Sequence, residues 1–125
     1  MIVALALAAA GCGKATSDDP TISARGATCT VGGTSLSISA DNLRYDKGCL
    51  AAPAGQAFTI TFDNKESLPH DVVILGNQDS TPLFSGQIVS GPTEVTYSVK
   101  GLPAGTYRFH CSVHPTQMQG SLVVA

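Results

Sequence analysis

The sequence of 125 residues contains no tryptophan, only two methionines and three histidines, and few charged residues. Charged side chains make up 13% of the chain, well below the roughly 25% of an average globular protein, and the formal net charge is −2. The seven Lys and Arg residues are scattered, so the chain lacks the basic stripe that binds nucleic acid. The low charge also excludes a disordered polyelectrolyte and a highly charged helical bundle. At this length we expect one domain.

A long hydrophobic run is also missing, because the apolar stretch at the N-terminus covers only residues 2–10. This stretch is too short to span a bilayer, but it resembles the apolar part of a secretory signal. It leads into Ala9-Ala10-Gly11-Cys12, which is similar to a bacterial lipobox, where small residues precede a cysteine that takes a lipid. We therefore expect a leader at 1–11 and an exported, membrane-anchored lipoprotein, periplasmic or at the cell surface. The alternatives are a plain signal peptide cut near Cys12 and an ordinary hydrophobic start.

The rest of the chain divides into a linker and a domain of short strands. Residues 12–26 are small, polar and aperiodic, which predicts a flexible linker before a folded domain at 27–125. Within that domain the apolar residues recur with a period of two, which is typical of half-buried strands. The clearest cases are 36–40, 58–62, 95–99 and 107–111, with turn residues between them. Short strands at this spacing predict an all-β sandwich or barrel.

The chemistry of the chain is concentrated in one loop, where Cys111, His114 and Met118 have the spacing Cys-x2-His-x3-Met. A second imidazole is available from His70. Two His and one Cys with a long axial Met contact are the ligand set of a blue-copper site. Zinc would use the Cys and the two His, but Met is a poor zinc ligand and catalytic zinc keeps a water position open. We therefore predict one type 1 copper bound by His70, Cys111, His114 and Met118.

Three segments of the chain form a familiar pattern. They are Ile60-Thr-Phe-Asp-Asn64 leading to Pro69-His70, then Gly86-Gln-Ile-Val-Ser-Gly-Pro92, and Leu102-Pro-Ala-Gly-Thr-Tyr-Arg-Phe-His-Cys111 with its loop. Together they resemble the cupredoxins, in particular blue copper proteins of the plastocyanin and amicyanin kind. The resemblance implies a Greek-key β-sandwich of about seven or eight strands, with copper at one end and the same four ligands.

The ligand loop departs from the family pattern at its axial position. Three residues separate His114 from Met118, where plastocyanin-like loops have four and amicyanin-like loops have two. Aligned forward from His114, Gln117 falls at the axial position, and Gln is a known axial alternative. Aligned backward from Gly120, Met118 fits the pattern. We prefer Met118 and keep Gln117 as the alternative.

Two neighbours of the predicted ligands also matter. Asp71 follows His70 at a position where relatives usually have Asn, and we expect an ionised Asp71 to stabilise Cu(II) and to lower the reduction potential. By alternation His110 points away from Cys111, which favours an ordinary surface residue. The resemblance to plastocyanin-like proteins offers a second interpretation, in which the residue before the Cys ligand passes electrons to or from a partner.

The remaining cysteines are Cys29 and Cys49, because the prediction assigns Cys12 to a lipid and Cys111 to copper. In an exported protein Cys29 and Cys49 can form a disulfide that ties the region around 27–31 to the region around 48–50. The alternative is two buried thiols.

The predicted function is electron transfer by Cu(I)/Cu(II) cycling, by a monomer tethered to the outer face of a membrane through Cys12. Its partners would be redox proteins that dock on the apolar residues Val113 and Pro115 beside His114. We expect no enzymatic activity, because multicopper oxidases need further His ligands and a His directly after the Cys, where this chain has Ser112. The alternative is a copper-binding module for storage, delivery or resistance, which the scarcity of Met disfavours.

Overall fold

A computed structural model describes residues 21–24, 27–30, 33–76 and 81–125, and every regular element in these residues is a strand. The predicted leader at 1–11, Cys12 and most of the predicted linker lie outside the described residues. The first strand lies inside the stretch predicted as a linker and pairs with the second. No helix in the described part of the chain is long and apolar enough to cross a membrane.

The strands form two main sheets and two short pairs. In chain order they are β1 (Thr21–Ala24), β2 (Ala27–Thr30), β3 (Ser35–Asp41), β4 (Arg44–Tyr45), β5 (Cys49–Ala52), β6 (Phe58–Asn64), β7 (Pro69–His70), β8 (Val73–Leu75), β9 (Pro82–Ser85), β10 (Val89–Ser90), β11 (Thr93–Val99), β12 (Gly105–His110) and β13 (Gln119–Val124). One sheet has the order β11-β6-β3-β4 and the other β5-β13-β12-β8-β9, while β1 pairs with β2 and β7 with β10. The all-β prediction is confirmed.

The core lies between the two sheets, and the predicted alternation fills it. β6 buries every second side chain from Phe58 to Asn64, and β3 buries Leu36, Ile38 and Ala40 beside it in a parallel register. The facing sheet contributes residues such as Phe109 and Leu122 to the same buried cluster. The sandwich therefore follows from the period of two in its long strands.

The five-stranded sheet also has a small buried cluster on its outer face. Cys29 packs there with Cys49, Ala51 and Val123. Cys29 and Cys49 form a disulfide with their Cα atoms 5.0 Å apart, as predicted. The bridge joins residues 20 positions apart, and in the chain-entropy model a loop of this size stabilises the fold by about 3 kcal/mol.

Close packing beside the last strand leaves no room for a side chain at Gly120. A Cβ atom there would lie 2.7 Å from the carbonyl oxygen of Gly48 and would run into the ring of Phe109. Gly120 is paired with Phe109 across β12 and β13. This contact fixes the two strands that begin and end the predicted ligand loop.

Candidate metal centre

The structure brings three of the predicted ligands together at one end of the sandwich. His70 ends β7, Cys111 directly follows β12, and His114 lies three residues further on. The sulfur of Cys111 is 3.7 Å from Nδ1 of His70 and 4.0 Å from Nδ1 of His114, and the two Nδ1 atoms are 3.2 Å apart. Cys111 is the free cysteine of the described residues, and it is fully buried.

These separations match the space that a metal ion needs. A point equidistant from the two nitrogens and the sulfur lies about 2.1 Å from each, and bonds from zinc to His and Cys measure about 2.0–2.3 Å. Two imidazoles and one thiolate around such a point form the trigonal plane of a blue-copper site. The size of the triangle thus suits a metal ion, and the identity of the donors suits a type 1 copper.

The axial candidate, Met118, lies at the end of the same loop. Its side chain is fully buried and belongs to the core cluster that contains Cys111. The loop is closed by the backbone N–H of Cys111, which donates to the carbonyl of Met118, and by the N–H of Met118, which donates to the carbonyl of His114. The alternative, Gln117, is exposed, and its Oε1 accepts a hydrogen bond from the hydroxyl of Thr116. Burial and loop closure thus favour Met118 over Gln117.

Glu66, which was not among the predicted site residues, contacts the ring of His70. Oε1 of Glu66 lies 2.6 Å from Nε2 of His70, and the Glu66 carboxylate also accepts the backbone N–H groups of Asn42 and Leu43. The hydrogen bond from Leu43, followed by that from His70, holds the pKa of the Glu66 carboxyl below its usual range. A carboxylate at Nε2 favours the proton on that nitrogen, which leaves Nδ1 free to bind a metal. No sequence pattern singles out Glu66, because it lies in the bend between β6 and β7 and its backbone partners Asn42 and Leu43 are more than twenty residues away.

Asp71 joins the two segments that carry the predicted ligands. Its Oδ1 accepts the backbone N–H of Ser112 at 2.7 Å, and its Oδ2 accepts the Ser112 hydroxyl at 2.6 Å. The hydroxyl of Tyr45 donates to the carbonyl oxygen of Asp71. Because Asp71 follows His70 and Ser112 follows Cys111, these bonds fix the position of His70 relative to Cys111.

Burial governs the chemistry of the Cys111 thiol. Desolvation raises the pKa of this thiol above its usual value, against the hydrogen bonds from neighbouring backbone groups that lower it. The metal-free protein therefore keeps the thiol protonated at neutral pH. Metal binding must release that proton, since the thiolate is the form that binds metal.

Exposed apolar side chains lie on the rim of the site. Leu68 and Val113 are exposed by 41% and 40%, and Pro115 is exposed beside the half-buried His114. His110 is half-buried on β12, opposite Val73 and Gln119, and lies outside the group of side chains that can hold a metal.

Comparison with known proteins identifies the fold. A family model described as a cupredoxin-like domain matches residues 1–124. The chain belongs to the cupredoxin family. This cupredoxin is 30% identical over 125 residues to amicyanin from Paracoccus denitrificans. The alignment covers 98% of this chain and 92% of amicyanin. It is 34% identical over 82 residues to plastocyanin from Sambucus nigra, covering 58% of this chain and 78% of plastocyanin.

A solved structure gives the same assignment. Dithionite-reduced auracyanin from the photosynthetic bacterium Roseiflexus castenholzii superposes on this cupredoxin with a TM-score of 0.67 and 26% identity, over 74% of this chain and 97% of auracyanin. Together with the donor geometry, these relatives confirm the prediction of a blue copper cupredoxin that takes one type 1 copper.

Proposed function

We propose that this cupredoxin is a one-electron carrier in which His70, Cys111, His114 and Met118 hold a copper that cycles between Cu(II) and Cu(I). The observation that carries the proposal is the triangle of Nδ1, Nδ1 and Sγ atoms, which is sized for a metal. Met118 is buried in the same core cluster as Cys111, which supports it as the fourth ligand. Thiolate and thioether ligands suit Cu(I), and imidazoles suit both oxidation states. The same four ligands therefore suit both oxidation states of copper.

The residues around the ligands keep the site rigid. Glu66 fixes the ring of His70, the Asp71–Ser112 bonds fix the start of the loop, and backbone hydrogen bonds fix its end at Met118. Ligands held in place by the fold move little when the charge of the metal changes. A small rearrangement lowers the barrier to electron transfer.

Electrons would cross at the apolar rim around His114. His114 is half-buried between exposed Val113 and exposed Pro115 in the chain, and exposed Leu68 lies two residues before His70. Such a surface fits brief docking of a second redox protein, since weak electron-transfer contacts are small. The four protein ligands leave no open position for a substrate, which supports a carrier without enzymatic activity.

We also propose a location for the protein, based on its N-terminal sequence. We assign 1–11 to a leader, Cys12 to the lipid and the residues between Cys12 and β1 to a linker that lets a monomeric domain reach partners along the membrane surface. The Cys29–Cys49 disulfide supports an exported protein, because disulfides persist in oxidising compartments. A detergent phase partition tests the anchor: the full protein should enter the detergent phase, and a Cys12→Ala variant should stay in water. Equal partition of the two proteins would overturn the anchor alone.

Spectroscopy tests the proposed function. With one equivalent of Cu(II), the protein should show an intense thiolate-to-copper absorption band and an EPR spectrum with small hyperfine splitting. The band should disappear on reduction and return on oxidation, with the copper retained in the presence of a Cu(I) chelator. A colourless protein would overturn the copper assignment. A protein that gives up its copper on each cycle would support storage or delivery instead.

A further inference from the structure

Two carboxylates lie on either side of His70, and the deeper one is Asp71. Only 2% of Asp71 is exposed, and its two oxygens accept hydrogen bonds from the N–H and the hydroxyl of Ser112. A carboxylate that only accepts hydrogen bonds has the pattern of the ionised form. A negative charge is therefore held beside both His70 and the residue next to Cys111.

The second carboxylate, Glu66, lies on the far side of the His70 ring. It accepts hydrogen bonds from Nε2 of His70 and from the backbone of Asn42 and Leu43. Both of these residues have positive φ, 54° for Asn42 and 58° for Leu43, which is costly for a leucine. The two-residue turn between β3 and β4 thus presents both of its N–H groups to Glu66, with a steric cost at Leu43.

Within the described residues, no Lys or Arg forms an ion pair with Asp71 or Glu66. Their charges are compensated by backbone N–H, hydroxyl and imidazole dipoles, which leave the net charge in place. The charge of Asp71 is also poorly screened, because water scarcely reaches it.

We infer that Asp71 and Glu66 together form an anionic clamp that favours Cu(II) over Cu(I) and gives this cupredoxin a low reduction potential. The inference rests on the proposed function, since it concerns the same copper. A fixed negative charge attracts the divalent ion more strongly than the monovalent ion, and the difference is largest where solvent is excluded. Asp71 should therefore contribute more than Glu66, whose side chain is 18% exposed. Both act as positioning residues, through His70 and the Cys111 loop.

Isosteric amides remove the charge and keep one accepting oxygen in each side chain. Asp71→Asn keeps an oxygen that can accept the N–H of Ser112, and Glu66→Gln keeps one that can accept Nε2–H of His70. Glu94→Gln is the matched control, because it removes one negative charge from an exposed position on β11. The measurement is the reduction potential of each copper-loaded full-length protein by spectroelectrochemistry, with the visible spectrum as a check on the ligands.

The expected effects differ in size. Asp71→Asn should shift the one-electron equilibrium toward Cu(I) by about tenfold, which is 59 mV. Glu66→Gln should shift the same equilibrium toward Cu(I) by a smaller factor. The double variant should shift it by about the product of the two single-variant factors. Glu94→Gln should shift it by less than about twofold. Blue spectra with potentials that do not exceed the Glu94→Gln shift would overturn the clamp and leave the proposed function intact. A wild-type protein without a reversible blue signal would instead overturn the proposed function.

A measurement on the metal-free protein tests the contact between Glu66 and His70 separately. In nitrogen-15 NMR spectra of the metal-free protein, His70 should be protonated at Nε2 in the wild type and in Glu66→Gln. A Glu66→Ala variant should show a mixture of tautomers, because the acceptor is gone. An unchanged tautomer in Glu66→Ala would overturn the positioning role of Glu66.

Discussion

The segment that carries His70 and the loop that carries the other predicted ligands hold their side chains in different ways. His70 is completely buried and depends on distant groups, with Glu66 at its ring and with Tyr45 and Ser112 bonded to the next residue. The loop from Cys111 to Met118 closes through its own backbone hydrogen bonds and leaves its middle exposed. One ligand is thus fixed by tertiary structure, and the others are fixed by their spacing in the sequence.

Removal of the thiolate should have the largest effect. A Cys111→Ser variant should lose the whole blue absorption band, because the band arises from a thiolate bound to copper and serine supplies only a hydroxyl. The control is a Cys29→Ser/Cys49→Ser variant, which should keep the band and lose about 3 kcal/mol of unfolding free energy. Absorption spectra and denaturant titrations measure the two effects. A blue Cys111→Ser protein would contradict the assignment of the ligand.

The two histidines should differ in how they can be replaced. Removal of either ring by substitution with glycine should abolish the blue band. Added imidazole should restore it in His114→Gly, where the ring is half-buried, and should fail in His70→Gly, where the ring is completely buried. Titration of the absorption band with imidazole measures both. Equal recovery in the two variants would show that His70 and His114 do not differ in access.

The axial position gives a smaller effect. Met118→Leu should keep the blue band but change its EPR parameters and the reduction potential, since a weak axial ligand tunes both. The swap nearly conserves volume and should cost less than about 1.5 kcal/mol of stability. Gln117→Ala is the control and should leave the spectra unchanged, because the side chain is exposed. If the two variants exchange these outcomes, Gln117 is the axial ligand.

The smallest effect concerns the support of the His70 segment. Burial raises the pKa of Tyr45 and of Tyr97 above the ordinary value of 10.0. Both phenols thus keep their protons in the folded state, and stability present below pH 10 is lost as the pH rises further. Above pH 10, each phenol should lower the free energy of unfolding by about 1.4 kcal/mol per pH unit.

A Tyr45→Phe variant should lose about 1 kcal/mol at neutral pH with its hydrogen bond to Asp71, and should lose less than the wild type above pH 10. Denaturant titrations from pH 7 to pH 11 measure the difference. Parallel stability curves for the two proteins would contradict the role of Tyr45.

The same contrast explains what the sequence could predict. The ligand loop was predictable because its chemistry is local, and β3, β6, β11 and β12 were predictable because they alternate. β5 was missed because it is buried on both faces and its small residues show no alternation. Glu66 was missed because its role depends on N–H groups more than twenty residues away, in a turn that no pattern brings to it.

The parallel pairing of strands has a consequence for how the protein folds. β13, the last strand, lies beside β5, and β6 lies beside β3, so both sheets join segments that are far apart in the chain. Such non-local pairing slows folding to milliseconds or seconds. His70 and Cys111 are 41 residues apart, so the complete set of predicted ligands comes together only when the two sheets pack on each other. Copper held by the complete set should therefore slow the unfolding of the protein.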